Sequence, residues 1–70
     1  MPATEPHVSL IIPAFNEGRR IAPTVRATVA YLGDNGYAYE VIVVDDGSTD
    51  STYDVVRHIQ REVPQLGIVR

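Results

Sequence analysis

Two short stretches hold the side chains best suited to chemistry. Phe15 and Glu17 lie in Pro13-Ala14-Phe15-Asn16-Glu17-Gly18, and the adjacent carboxylates Asp45 and Asp46 open Asp45-Asp46-Gly47-Ser48-Thr49-Asp50. An ionised carboxylate only accepts hydrogen bonds, which suits the N–H of a nucleobase or the hydroxyls of a ribose. An aromatic ring offers a face on which a base or sugar can stack. Neighbouring carboxylates repel, and at a strand end they point to opposite sides of the pleat, so Asp45 and Asp46 cannot share one task. One is expected to form the turn and favour the start of a following helix, where negative charge gains about 0.3–1 kcal/mol. The other can read a ligand. For Phe15, stacking on a ligand and packing into the core both stand open, and Glu17 is either an acceptor for ribose or base or a solvated residue ahead of a helix.

Sharper motifs are absent. No G-x-G-x-x-G follows the first apolar run, and the chain has no Lys, which disfavours a dinucleotide site and excludes a P-loop. It has no Cys, which removes disulfides, Cys-based zinc sites and thiol nucleophiles. His7 and His58 have no spacing that pairs them with a nucleophile or a metal ligand, and both are expected at the surface.

The two stretches need elements to hold them. Val8-Ser9-Leu10-Ile11-Ile12 is short and rich in β-branched residues, which predicts a strand buried on both faces of a parallel sheet, with a loop from Pro13 to Gly18. Ile21, Val25, Val29 and Leu32 recur at helical spacing. Pro23 must then lie in the first turn, so the helix begins near Arg20, and Gly33-Asp34-Asn35-Gly36 ends it. Tyr39 to Val44 predicts a second strand that stops at the acidic turn. Ser51 and Asp54 have the spacing of a capping box, and Thr52, Val55, Val56, Ile59 and Val63 share one helical face until Pro64. Gly67-Ile68-Val69-Arg70 begins a third strand. Strand, helix, strand, helix, strand with right-handed crossovers is the opening half of an α/β fold with a parallel sheet. In such sheets ligands collect beyond the carboxyl ends of the strands, where both stretches emerge.

At 70 residues the chain falls within one domain and can bury only about 60% of its unfolded surface. A hydrophobic fraction of 44% with 21% charged residues is that of a globular chain. Net charge is −3 and the six basic residues, all Arg, are scattered, which argues against nucleic-acid binding. Val8 to Ala14, the longest apolar run, is far short of a membrane span of about 20 residues. Residues 1–7 have neither a cationic start nor an apolar signal core and read as a disordered leader of a cytoplasmic protein.

Val8-Ser9-Leu10-Ile11-Ile12-Pro13-Ala14-Phe15-Asn16-Glu17, one helix, and then Tyr39-Glu40-Val41-Ile42-Val43-Val44-Asp45-Asp46-Gly47-Ser48-Thr49-Asp50 together resemble the opening of family-2 inverting glycosyltransferases of the GT-A fold. The resemblance covers nearly the whole chain and implies that residues 8–70 are the N-terminal nucleotide-binding portion of such a domain, a Rossmann-like βαβαβ unit. In that family the first loop, typically Pro-x-Tyr-Asn-Glu, and the second Asp of the Asp-Asp-Gly-Ser turn bind the nucleoside of the sugar donor. Carried over, Pro13, Phe15, Glu17 and Asp46 become the nucleotide-sugar residues, while Asp45, Gly47 and Ser48 build the turn. Phe15 departs from the commoner Tyr and lacks its phenol hydrogen bond.

Arg19-Arg20-Ile21, Tyr31-Leu32 and Tyr39-Glu40 further resemble dolichyl- and polyprenyl-phosphate glucosyl- and mannosyltransferases. That likeness implies a UDP- or GDP-sugar donor, a polyprenyl phosphate acceptor, Mg²⁺ or Mn²⁺, and work at the cytoplasmic face of a membrane. The Asp-x-Asp metal motif of the family is missing from these residues, so neither metal ligands nor catalytic residues are expected in this chain, and the chain alone is expected to be inactive. Two other readings compete. One is a non-catalytic fragment with weak nucleotide binding or partner association. The other is a phosphorelay receiver, which would place its acidic pair after the first strand and need a Lys.

Overall fold

The computed structural model describes residues 8–70, so the leader expected at 1–7, with His7, lies outside the described residues. Five elements follow one another: β1 (Val8–Ala14), α1 (Ile21–Asp34), β2 (Tyr39–Asp45), α2 (Thr52–Gln60) and β3 (Leu66–Val69). The strands form one parallel sheet in the order β1-β2-β3, with Leu10, Val41 and Leu66 in one row and Ile12, Val43 and Ile68 in the next. This is the βαβαβ arrangement expected from the alternation of apolar runs.

Both crossovers step the same way across the sheet, so right-handed connections put α1 and α2 on one face. Ile21, Val25 and Leu32 of α1 and Thr52, Val56 and Ile59 of α2 close over Val41, Val43 and Leu66, and Val8, Leu10, Ile12 and Ile68 pack against that core. Val29, Val55 and Val63 of the two expected stripes are half-buried at its margin. The expectation that β1 is buried on both faces is corrected: burial alternates along it, and Ile11 is 54% exposed. Neither helix reaches the face that carries Ser9, Ile11 and Pro13, together with Glu40, Ile42, Val44 and Val69 of the other strands.

Two boundaries shift. Pro13 belongs to β1, opposite Val44, instead of the loop. Proline cannot donate to a ladder, but β1 is an edge strand and loses no bond there. Helix α1 runs through Gly33 to Asp34, and the left-handed residue that reverses the chain is Gly36, at φ +75°. Arg20 occupies the N-cap of α1 and Pro23 lies within its first turn, as the spacing predicts.

Candidate functional site

The last residues of β1 and β2, Ala14 and Asp45, are partners in the ladder, and the Asp46 N–H donates to the Ala14 carbonyl at 2.9 Å. The β1–α1 and β2–α2 loops therefore leave the sheet side by side. Beyond the ladder, three successive amides of the first loop have no strand partner. Side chains of the second loop and of Thr52, which opens α2, supply one to each: Asn16 N–H donates to Ser48 Oγ at 2.9 Å, Glu17 N–H to Thr52 Oγ1 at 2.9 Å, and Gly18 N–H to Asp50 Oδ2 at 3.0 Å. In return the Asn16 Oδ1 accepts from the amides of Thr49 at 2.9 Å and Asp50 at 3.4 Å. Asn16 sits at φ +50°, a left-handed conformation that Asn tolerates better than most residues. At Gly18 the loops come so close that a Cβ would stand 2.7 Å from Ser51 Oγ and 3.0 Å from Asp50 Oδ2. Side chain from one loop and backbone from the other thus weld two segments more than thirty residues apart.

The second loop is also braced from within. Asp45 is buried, and its Oδ1 accepts from Ser48 N–H at 3.0 Å, closing a turn that passes through Gly47 at φ +75°. The capping box expected from Ser51 and Asp54 is not formed: Ser51 makes no side-chain cap bond. Asp50 takes that part, because its Oδ1 accepts from both the Thr52 amide, at 2.9 Å, and the Thr52 hydroxyl. Those Thr52 bonds hold the Asp50 carboxyl below its ordinary value of 3.8, opposed by partial desolvation and assisted by the Gly18 amide.

The candidates separate cleanly on this frame. Phe15 is 57% exposed, so within this chain it stands at the rim and does not pack into the core. Asp46 is exposed while Asp45 is buried, the opposite orientations expected of adjacent residues at a strand end. Glu17 is half-buried and its carboxylate is engaged by Arg20 at 2.9 Å. Pro13 lies on the uncovered face of the sheet just below the rim, Gly47 and Ser48 form the Asp45 turn, and His58 is exposed on α2. Of the residues that tie the loops together, Asn16 and Asp50 show in the sequence only as turn formers and Thr52 only as a member of the buried stripe of α2. Among the described residues no three His, Cys, Asp or Glu gather as metal ligands.

Comparison with known proteins accords with this geometry. Residues 9–70 match the family model described as glycosyl transferase family 2. The chain is 35% identical over 71 aligned positions to a dolichyl-phosphate beta-glucosyltransferase of Trichomonas vaginalis, with 94% of this chain and 21% of that protein covered. It is 36% identical over 69 positions to a dodecaprenyl-phosphate galacturonate synthase of Rhizobium johnstonii, covering 97% and 20% of the two chains. The glycosyltransferase AglE of Haloferax volcanii is 36% identical over 69 positions, covering 99% and 22%. The chain thus spans about a fifth of the length of the curated relatives it matches. With a parallel βαβαβ unit and both loop motifs on one rim, this chain belongs to glycosyl transferase family 2 and carries the N-terminal Rossmann-like portion of its GT-A fold.

Proposed function

We propose that the rim formed by the two loops reads the nucleoside of a UDP- or GDP-sugar, for an enzyme that transfers a hexose to a polyprenyl phosphate with inversion. The observation that carries this reading is the weld itself. It uses the backbone of Asn16, Glu17 and Gly18 internally and leaves the Phe15 ring and the Asp46 carboxylate exposed on one edge. A stacking surface and an acceptor-only group are what a base and its N–H or a ribose hydroxyl require. Asp46 is the acceptor, Phe15 the stacking surface, and Pro13 the rigid end of the strand beneath them. Glu17 adds a second carboxylate acceptor on the same loop, its Oε1 paired with Arg20, while its backbone carbonyl accepts from the Arg20 and Ile21 amides at the entry to α1.

Relatives named for dolichyl and dodecaprenyl phosphate support the acceptor class. In the whole enzyme a phosphate oxygen of the acceptor attacks the anomeric carbon, and the bond to the nucleoside diphosphate breaks on the opposite side. The amides of Asn16, Glu17 and Gly18 are committed to Ser48, Thr52 and Asp50, so those three are not free to hold the donor's diphosphate. No helix among the described residues is long and apolar enough to cross a membrane, and work at the cytoplasmic face of a membrane is part of the proposal.

Calorimetric titration of the chain with UDP and GDP, with and without Mg²⁺, tests the reading. One nucleotide should bind saturably, and Asp46→Ala should weaken it by about ten- to a hundredfold, the worth of a hydrogen bond to a charged group. A folded chain that binds neither nucleotide contradicts it.

A further inference from the structure

The buried Asp45 carboxylate is only half accounted for by its turn. Its Oδ1 holds the Ser48 amide, but among the described residues Oδ2 is a buried oxygen with no hydrogen-bond partner. A buried carboxylate oxygen without a partner is costly, and the cost falls when a cation lies against it. The cation that lies there is Arg70, immediately after β3, with its Nε 3.6 Å from Asp45 Oδ2.

Three contacts fix that guanidinium. Arg70 Nη2 donates to the Ser48 carbonyl at 3.3 Å, its Cζ stands 4.4 Å over the centre of the Tyr53 ring in the first turn of α2, and its Nε faces Asp45. The alternation of β3 explains the reach. Ile68 faces the helices and Val69 the open side, so Arg70 points back under the β2–α2 loop. Planar geometry lets one Arg pair, donate and stack at once, which a Lys cannot. The chain of contacts continues, because Ser48 accepts the Asn16 amide through Oγ.

We infer that Arg70 is a positioning residue: it neutralises Asp45 and clamps Ser48, and so sets the turn that presents Asp46 at the rim. Its consequence for nucleotide affinity rests on the nucleoside-reading function proposed above, while its effect on the loop does not.

The test is amide hydrogen exchange by NMR on the chain and its Arg70→Met, Arg70→Lys and Asp45→Asn variants, followed by UDP and GDP titration. Arg70→Met should speed exchange of the Ser48 and Thr49 amides by about tenfold while leaving Val41 and Val43 in β2 unchanged. Arg70→Lys, which keeps the charge and loses the fork, should recover part of that protection. In an Asp45→Asn background the Arg70→Met change should have little further effect, since the charge to be neutralised is gone. Unchanged Ser48 exchange in Arg70→Met, loss of protection spread evenly over the sheet, or an undiminished effect of Arg70→Met in the Asp45→Asn background would each overturn the inference. If the loop loosens as stated and no variant, nor the parent chain, binds nucleotide, the positioning role stands and the nucleoside reading fails. If the parent binds and Arg70→Met binds equally well, the positioning role fails and the nucleoside reading stands.

Discussion

The two ends of the sheet are built on different principles. At the end where α1 returns to β2, the chain satisfies itself locally: Asn35 and Gly36 amides donate to Tyr31 and Gly33, Tyr37 donates to Leu32, and the Asn35 side chain caps the Tyr31 carbonyl at 2.7 Å. At the opposite rim the local bonds of Asp45 with Ser48 and of Asp50 with Thr52 are joined by bonds between the two loops. The amides of Asn16, Glu17 and Gly18 depend on Ser48, Thr52 and Asp50, across 32 to 35 residues of sequence. A turn that closes on its own backbone only has to reverse the chain. Two loops that complete each other present a surface of fixed shape, with Phe15 and Asp46 on its outside. The difference supports placing the proposed function at that rim.

The largest effect should come from cutting the weld. Asn16→Ala removes the acceptor for the Thr49 and Asp50 amides and places an alanine at φ +50°, and should destabilise the chain by about 2 kcal/mol in urea denaturation. Asn16→Gly, which relieves the backbone but not the lost acceptor, should recover part of it. The same Gly-to-Ala exchange should have opposite signs at the two ends. Gly18→Ala forces a Cβ against Ser51 and Asp50 and should cost about 1–2 kcal/mol. Gly33→Ala, within α1 and with nothing inside 4 Å, should stabilise by about 0.5–1 kcal/mol. Equal effects at the two glycines would erase the contrast.

A subtler effect is acid loosening of one end alone. The folded Asp50 carboxyl titrates below 3.8, so its contribution is fully present above that pH and is lost as the pH falls through the lowered value. On acidification, the amide resonances of Gly18 and Thr52 should move together with a midpoint below 3.8, while Gly36 and Tyr37 stay still through that transition. A midpoint at or above 3.8 would mean that the Thr52 bonds do not hold the carboxylate.

Much of this fold can be read from apolar spacing. Ile21, Val25 and Leu32 are buried where helical periodicity puts them, and Val41 and Val43 where a β-branched run does. Pro13 and Gly33 misplace the boundaries because their cost depends on surroundings: Pro13 sits on an edge with no bond to lose, and Gly33 is carried by a helix anchored through Leu32. The single covered face follows from strand order, which local spacing does not encode. At the rim, the positions of both loops and the opposite burial of Asp45 and Asp46 are legible from strand geometry. Asn16 and Arg70 are not, since a side chain that bonds across more than thirty residues, or pairs with a buried carboxylate on another strand, has no periodic signature.

Chemical-shift mapping of a UDP and a GDP titration asks whether the two loops act as one nucleoside-reading surface. One nucleotide should shift Phe15 to Gly18 and Asp46 to Thr49 along a single binding curve, with Gly33 to Tyr37 unmoved. Shifts confined to one loop, two curves of different midpoint, or a response centred on Gly33 to Tyr37 would contradict it.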